Sequence, residues 1–489
     1  MKRHHYFTLI IGSSLIFISI WAILNTLTGL NLIINHTSDP PITLITPKDS
    51  PESRPLVLTG HGFAGSRQNM QGFALTLAHA GYSVVIWDFA GHGYNPKPYP
   101  SEINSENFLE DAERAFEFAK EQDLAKFGEH AILGHSMGSG VALTYGQKYP
   151  DTRATIAVSP VSRSVTSVLP QNLLIMAGSN EPAFVKNAED LLTIAGGPGG
   201  LHDNGTARSL AIIPGVEHIS ILFAPRSHQL AVDWLDATFG MQSGARNYID
   251  SRIFWWGIAL LGTMLIAYAV GPLTASRRVK NSKTQPFWRS LVAILGGALG
   301  ATLCLWILDL AGIELSTILK LLAGGYLLIW FGIAGVISML IFWQIPIKPS
   351  RRDLSGGLVG FLILWLGVGL LTHLVWMNWL LIPKRLFLWP LGAMLVLPWF
   401  LVIGNIVQGK KALSRLGLWA LYSISVCACL FLGIQLNSGL RFLIIILPMI
   451  PFILGLQALV AGSQRGAWQF AISGSLWVSW ALIAVFPLG

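Results

Sequence analysis

The stretch Ala131-Ile132-Leu133-Gly134-His135-Ser136-Met137-Gly138-Ser139-Gly140-Val141-Ala142-Leu143-Thr144-Tyr145 decides how the chain is read. A short apolar run ends at a G-x-S-x-G string, and a helix-like segment starts immediately afterwards. A strand that turns sharply into a helix strains the backbone of the corner residue. Glycines on either side let neighbouring segments approach where a Cβ would clash. Ser136 at this corner would present its hydroxyl over the amino end of a helix. The alternative is an ordinary glycine turn, and the flanking strand and helix patterns argue against it.

Outward from this corner, short β-rich runs recur at Leu56–Leu58, Ser83–Trp87, Ala154–Val158, Leu173–Met176 and Leu210–Ile213. Amphipathic segments separate them, the pattern of a mostly parallel α/β sheet. Between the second run and Ala131, residues Phe108, Ala112, Ala115, Phe116 and Ala119 recur at helical spacing among acidic residues. They predict a helix with one apolar face.

That pattern covers less than half of the 489 residues, and the composition is 52% hydrophobic with only 12% charged. Such a chain cannot be soluble throughout. Residues 36–250 carry 14 basic and 22 acidic residues, so the remainder holds 19 basic and only 3 acidic ones. The net charge of +8 is therefore a basic excess confined to short loops between apolar runs. This is the arrangement that orients membrane proteins, and it gives no support to nucleic-acid binding. Cys304, Cys427 and Cys429 all fall in apolar stretches, which argues against a disulfide scaffold or a thiolate metal site.

Tyr6 to Leu24 carries no charge and is long enough to cross a bilayer as a retained anchor rather than a cleaved signal. Eight further apolar spans are expected at roughly 254–275, 290–311, 321–344, 357–377, 386–408, 416–436, 442–462 and 467–487. The expected domains are an anchor over 1–35, an α/β domain over 36–245 and a multi-pass all-α bundle over 246–489. With nine alternating spans, Arg277, Arg278, Lys280 and Lys283 share one side with Lys348, Arg351, Arg352, Lys410, Lys411, Arg415, Lys2 and Arg3. The positive-inside rule places that side in the cytoplasm and the α/β domain outside, most simply at a plasma (inner) membrane. Lys384, Arg385 and Arg441 read as scattered bases of outer loops. Asp309, Glu314 and His373 are the intramembrane candidates for transport chemistry, but a relay needs several partners at mid-depth.

The α/β portion, from about residue 54 to 240, resembles the α/β-hydrolase superfamily. Gly134-His135-Ser136-Met137-Gly138 is similar to its nucleophile elbow, and Gly60-His61-Gly62-Phe63 after the Leu56–Leu58 run looks like its oxyanion loop. The resemblance implies Ser136 as nucleophile, with the Phe63 and Met137 backbone amides as oxyanion donors. Asp88-Phe89-Ala90-Gly91-His92-Gly93 is similar to a structural D-x-x-G-x-G turn, which gives His92 no catalytic role. His218 fits the family's order as the base, standing in a loop after the Leu210–Ile213 run. His202 precedes that run, His228 falls in the next helix, and His61, His79, His92 and His135 come before Ser136.

Glu181 occupies the position where the family usually has aspartate, and a carboxylate of either length can orient an imidazole. Asp203 precedes its strand and should emerge at the wrong edge of the sheet, while Asp190 sits in a helical pattern. About fourteen residues separate the Val158 and Leu173 strands, too few for the helical cap the family often inserts there. The resemblance implies a serine hydrolase that needs no metal or cofactor and cleaves carboxylic esters through an acyl-serine intermediate, and tethering of a capless domain to apolar spans at both ends points to a lipid or lipid-linked ester as its substrate. Acyl transfer and peptide cleavage use the same triad, and a non-enzymatic scaffold or transporter is the alternative of another class. Oligomeric state is left open.

Overall fold

The structure, a computed structural model, describes residues 3–48, 54–100, 108–122, 125–161, 165–275, 286–314, 318–342 and 348–489. Its α/β half is built on eight strands: β1 (Leu30–Asn35), β2 (Ile42–Pro47), β3 (Arg54–Gly60), β4 (Ser83–Trp87), β5 (Ala125–His135), β6 (Thr152–Val158), β7 (Leu173–Gly178) and β8 (Arg208–Ile213). They lie in the order β1-β2-β4-β3-β5-β6-β7-β8. The β1–β2 and β2–β4 pairs are antiparallel and all the other pairs are parallel. Alternation along the strands sorts the core into two faces. Val57, Val84, Ile86, Leu133 and Ile156 pack against α2 (Gln71–Ala80) and α6 (Pro225–Phe239). Leu56, Leu58, Val85, Trp87 and Ile132 pack against α3 (Leu109–Glu121) and α4 (Met137–Lys148). The acid-flanked segment is α3, with Leu109, Ala112, Ala115 and Ala119 buried.

Each parallel strand anticipated from the sequence is present, whereas β1 and β2 are additions. β1 follows the first apolar helix, α1 (Arg3–Asn25), after only a short turn. With no polar linker between them, composition offers no boundary. β1 belongs to the sheet, although it lies ahead of the boundary expected at residue 36.

Among the described residues, eight helices are long and apolar enough to cross a membrane. They are α1, α7 (Arg252–Thr274), α8 (Phe287–Leu310), α9 (Gly324–Phe342), a composite of α10 (Arg351–Leu364), a π-helical turn (Trp365–Leu370) and α11 (Leu371–Val375), then α12 (Pro383–Val407), α13 (Ala412–Leu436) and α15 (Ala467–Val485). A 23-residue helix is about 34 Å long, enough for the hydrocarbon layer. The span expected near 442–462 is broken: Gly439–Ile446 and α14 (Met449–Gly462) meet at 51° across Leu447-Pro448. Pro448 lacks the N–H that would continue a helix through this point.

The helix ends alternate. At one end, Arg252 Nη1 donates to Gln71 Oε1 at 2.8 Å, the Asn378 amide to Ser66 Oγ at 2.9 Å, and Lys384 Nζ to the Pro96 carbonyl at 2.8 Å. The Tyr99 and Leu488 amides exchange bonds across to Leu488 and Gly91, at 2.6 and 2.9 Å. This end abuts the α/β domain. At the other end the helices tie to one another, through Gln408 to Ala461, Gln464 to Gly356 and Gln469 to Arg352. Arg351, Arg352, Lys410, Lys411 and Arg415 stand at that far end, so the charge asymmetry of the loops coincides with the asymmetry of the molecule. Arg277, Arg278, Lys280 and Lys283 lie outside the described residues.

Two polar residues differ from their sequence reading. Arg385 is no loop base: it lies in the first turn of α12, fully buried, and donates to the carbonyls of Ile483, Phe486 and Gly91, the last two at 2.6 and 2.5 Å. One guanidinium thus joins α12, the end of α15 and an α/β-domain loop, a use of five fixed donors that a lysine could not reproduce. His373 is not isolated either. Its Nδ1 accepts from the Trp379 amide at 3.2 Å and its ring faces Tyr94 of the α/β domain at 6.3 Å.

Candidate active site

Ser136 stands between β5 and α4 with φ 54° and ψ −118°, a left-handed conformation that non-glycine residues rarely adopt. Such a corner costs about 1–3 kcal/mol and is held only by its surroundings. The glycines explain how: a Cβ on Gly134 would lie 1.9 Å from the Gly138 carbonyl oxygen, and one on Gly138 would lie 2.3 Å from that of Gly60. β3, β5 and α4 therefore converge at a spacing that only glycine permits.

Along the carboxyl edge of the sheet, three side chains meet. Ser136 Oγ and His218 Nε2 are 2.9 Å apart, and His218 Nδ1 is 2.8 Å from Glu181 Oε2. All three are buried. Glu181 directly precedes α5 (Pro182–Ile194), where a carboxylate could have capped the helix, yet it makes no side-chain capping bond. Its Oε1 instead accepts from Ser159 Oγ and from the Gly178 amide, both at 2.6 Å. These bonds fix the carboxylate so that Oε2 faces the imidazole. Asp203 lies in the turn that precedes β8, at the opposite edge, and Asp190 lies within α5.

Met137 is the first residue of α4, so its amide belongs to the turn whose donors have no partner within the helix. Phe63 lines the same cavity as Ser136. His92 does not line it: the ring is buried with Nδ1 3.0 Å from the Ala90 carbonyl, inside the turn organised by Asp88. Asp88 accepts from the amides of Arg67 and Tyr94 at 2.8 and 3.0 Å.

Two supporting histidines escaped the sequence reading. His135 Nε2 is 2.8 Å from the carbonyl oxygen of His218. Burial first, then the neighbouring His218, holds its imidazole well below the usual pKa, so the ring is neutral and donates through Nε2–H. It fixes the backbone that carries His218. His61 braces the Gly60–Phe63 loop: Nδ1 lies 2.7 Å from the Gly62 carbonyl and Nε2 accepts from the Phe89 amide at 3.1 Å. Burial keeps this ring below its usual pKa as well. Their position inside the two motifs was visible, but their hydrogen bonds depend on chain segments far away in sequence.

Ser136 and His218 open into a cavity of about 880 Å³. Gly62, Phe63, Tyr99, Met137 and Phe184 form its α/β-domain wall. The opposite wall comes from the apolar helices, with Leu443, Ile446, Ile450 and Ile453 of the broken span and Val478 and Leu482 of α15. No helical cap lies between β6 and β7 among the described residues, and the space a cap would cover faces these helices instead.

Residues 51–189 match the family model described as serine aminopeptidase, S33 (Hydrolase_4). No curated protein matches the chain. Among solved structures, TT1662 from Thermus thermophilus is similar at 17% identity and a TM-score of 0.33, with 42% of this chain and 97% of that one covered. An esterase/lipase from an uncultured bacterium is similar at 16% identity and a TM-score of 0.32, covering 43% and 84%. The family match, the parallel sheet and the strained serine corner support the presence of an α/β-hydrolase domain in this chain.

Proposed function

We propose that the protein is a membrane-bound serine hydrolase that cleaves carboxylic esters of long acyl chains through an acyl-serine intermediate. The observation that carries this reading is that Ser136 and His218, in line with Glu181, open into an apolar cavity half walled by membrane-type helices. Pockets of this volume enclose an extended ligand, and a carbon-lined one favours an alkyl chain over a peptide.

Ser136 Oγ attacks the ester carbonyl while His218 Nε2 takes its proton. Glu181 holds the imidazole and balances the cation that forms. The Met137 and Phe63 amides receive the charge on the carbonyl oxygen. Collapse of the tetrahedral species expels the alcohol, which takes the proton from His218. Water, deprotonated by the same imidazole, then releases the carboxylic acid and restores Ser136.

The aminopeptidase description of the matched family favours peptide cleavage as a second reading. Such an enzyme must hold a free ammonium group, and none of the described residues lining the cavity is acidic. The full-length protein in detergent micelles should hydrolyse nitrophenyl palmitate with a higher kcat/KM than nitrophenyl butyrate, and Ser136→Ala should abolish both. Cleavage of aminoacyl amides without cleavage of either ester would favour the peptidase.

On this reading residues 1–35, 36–245 and 246–489 act as anchor, catalytic domain and substrate-side wall, except that β1, ahead of residue 36, joins the sheet of the catalytic domain. The basic far end faces the cytoplasm and the α/β domain lies outside.

A further inference from the structure

The cavity is lined almost entirely by carbon, with one exception on the helical side. Arg441, in the 3₁₀ segment Ser438–Ile446, is the one residue of fixed charge among the described residues lining it, and none of those residues is a carboxylate. The side chain is exposed and, among the described residues, makes no hydrogen bond or ion pair. Three other cations at this end of the helices are engaged. Arg385 is taken up by three carbonyls, Lys384 by Pro96, and Arg252 by Asp250 and Gln71. Lys320 stands outside the cavity lining.

We infer that Arg441 recognises a phosphate on the substrate, so that the ester cleaved at Ser136 belongs to a phosphate-bearing acyl lipid. This inference rests on the long-chain ester hydrolase proposed above and narrows its substrate. A guanidinium at the rim of a carbon-lined cavity matches an amphiphile whose chain leaves water while its anionic head does not. Planar, bidentate donation suits phosphate, and weak hydration makes the guanidinium the cation best suited to such a boundary. Arg441 also stands on the side of the spans where basic residues are scarce, which sets it apart from the orienting charges of the far end. A phosphate of the surrounding bilayer offers the same chemistry as one on the substrate, and a matched substrate pair separates the two sources.

The test uses full-length protein in non-ionic micelles, which contain no phosphate, with monopalmitoylglycerol and palmitoyl lysophosphatidic acid as substrates. The two differ by the phosphate alone. The readout is the ratio of kcat/KM for the phosphorylated over the uncharged ester. Arg441→Gln should lower this ratio about 10- to 100-fold, the range of a charge-assisted hydrogen bond, and Arg441→Lys should recover part of it. A ratio unchanged in Arg441→Gln, or an equal loss on both esters, overturns the inference and assigns Arg441 to bilayer phosphates or to folding, with the hydrolase reading intact. A wild-type protein that cleaves nitrophenyl butyrate but neither palmitoyl ester refutes the long-chain reading itself, and the inference with it.

Discussion

The two halves of the molecule use polar side chains in opposite ways. In the α/β domain they converge on one point: Ser159 and Gly178 hold Glu181, Glu181 holds His218, and His135 holds the backbone behind it. In the helical half they are spread out and mostly reach for backbone carbonyls, as Arg385, Gln464, Gln469 and Thr302 do. The first arrangement lines up groups that can pass a proton, and the second supplies donors to backbone carbonyls among packed apolar helices. The cavity exists where the two meet, with the chemistry on one wall and the apolar surface on the other.

The severest loss is expected at Ser136. Ser136→Ala should lower ester turnover by a factor on the order of a million and abolish fluorophosphonate labelling, while the thermal transition stays within a few degrees of wild type. Retained labelling would move the nucleophile elsewhere. Glu181→Gln should cost on the order of 10⁴ in kcat, because the imidazolium loses its counter-charge and its tautomer is no longer enforced. A comparable loss in Asp203→Asn without one in Glu181→Gln would reverse the choice of carboxylate.

In the helical half the expected damage is to stability. Arg385→Met leaves the carbonyls of Ile483, Phe486 and Gly91 without their donor in a buried site, a loss of about 3 kcal/mol or more. Thermal unfolding in detergent should register it as a lowered midpoint, with Arg385→Lys recovering little. A smaller and more selective effect is expected from Ile453→Trp, which fills the cavity from α14. It should reduce kcat/KM for nitrophenyl palmitate about tenfold relative to nitrophenyl butyrate, and equal effects on both esters would exclude the helices from the acyl site.

The smallest effect concerns Asp111, whose carboxylate is buried beneath the Ala90 amide at 2.9 Å. Burial raises its pKa to about 6, above the usual carboxylate range. The folded state therefore binds a proton that the unfolded state has lost between about pH 4 and pH 6, and the ionised side chain weakens folding above that window. Asp111→Asn should raise the unfolding midpoint by a few degrees at pH 8 and leave it nearly unchanged at pH 4. The opposite order would show that the charged form is the stabilised one.

How far each half could be read from sequence follows from the same contrast. The serine corner was legible because strand, glycine turn and helix are consecutive, and His218 and Glu181 because each follows its own strand at the carboxyl edge. What supports them was not: the bonds from His135 to His218 and from Ser159 to Glu181 join residues 83 and 22 positions apart. The long apolar helices were legible, since composition alone marks them. Their facing surfaces were not, because helices that are apolar all round carry no periodic stripe to say which side points inward. Arg385 looked like a loop base for the same reason, and the bend at Pro448 turned an expected straight span into a wall of the cavity.

In the proposed acyl-enzyme, the chain bound to Ser136 lies against the helical half, and this arrangement can be probed chemically. It is tested most directly by a fluorophosphonate carrying a hexadecyl chain with a photoreactive group at its far end, reacted with the full-length protein and mapped by mass spectrometry. One covalent bond at Ser136 is expected, with photo-insertion into residues 441–454 and 478–486. Attachment at Ser136 with insertion confined to the α/β domain would contradict it.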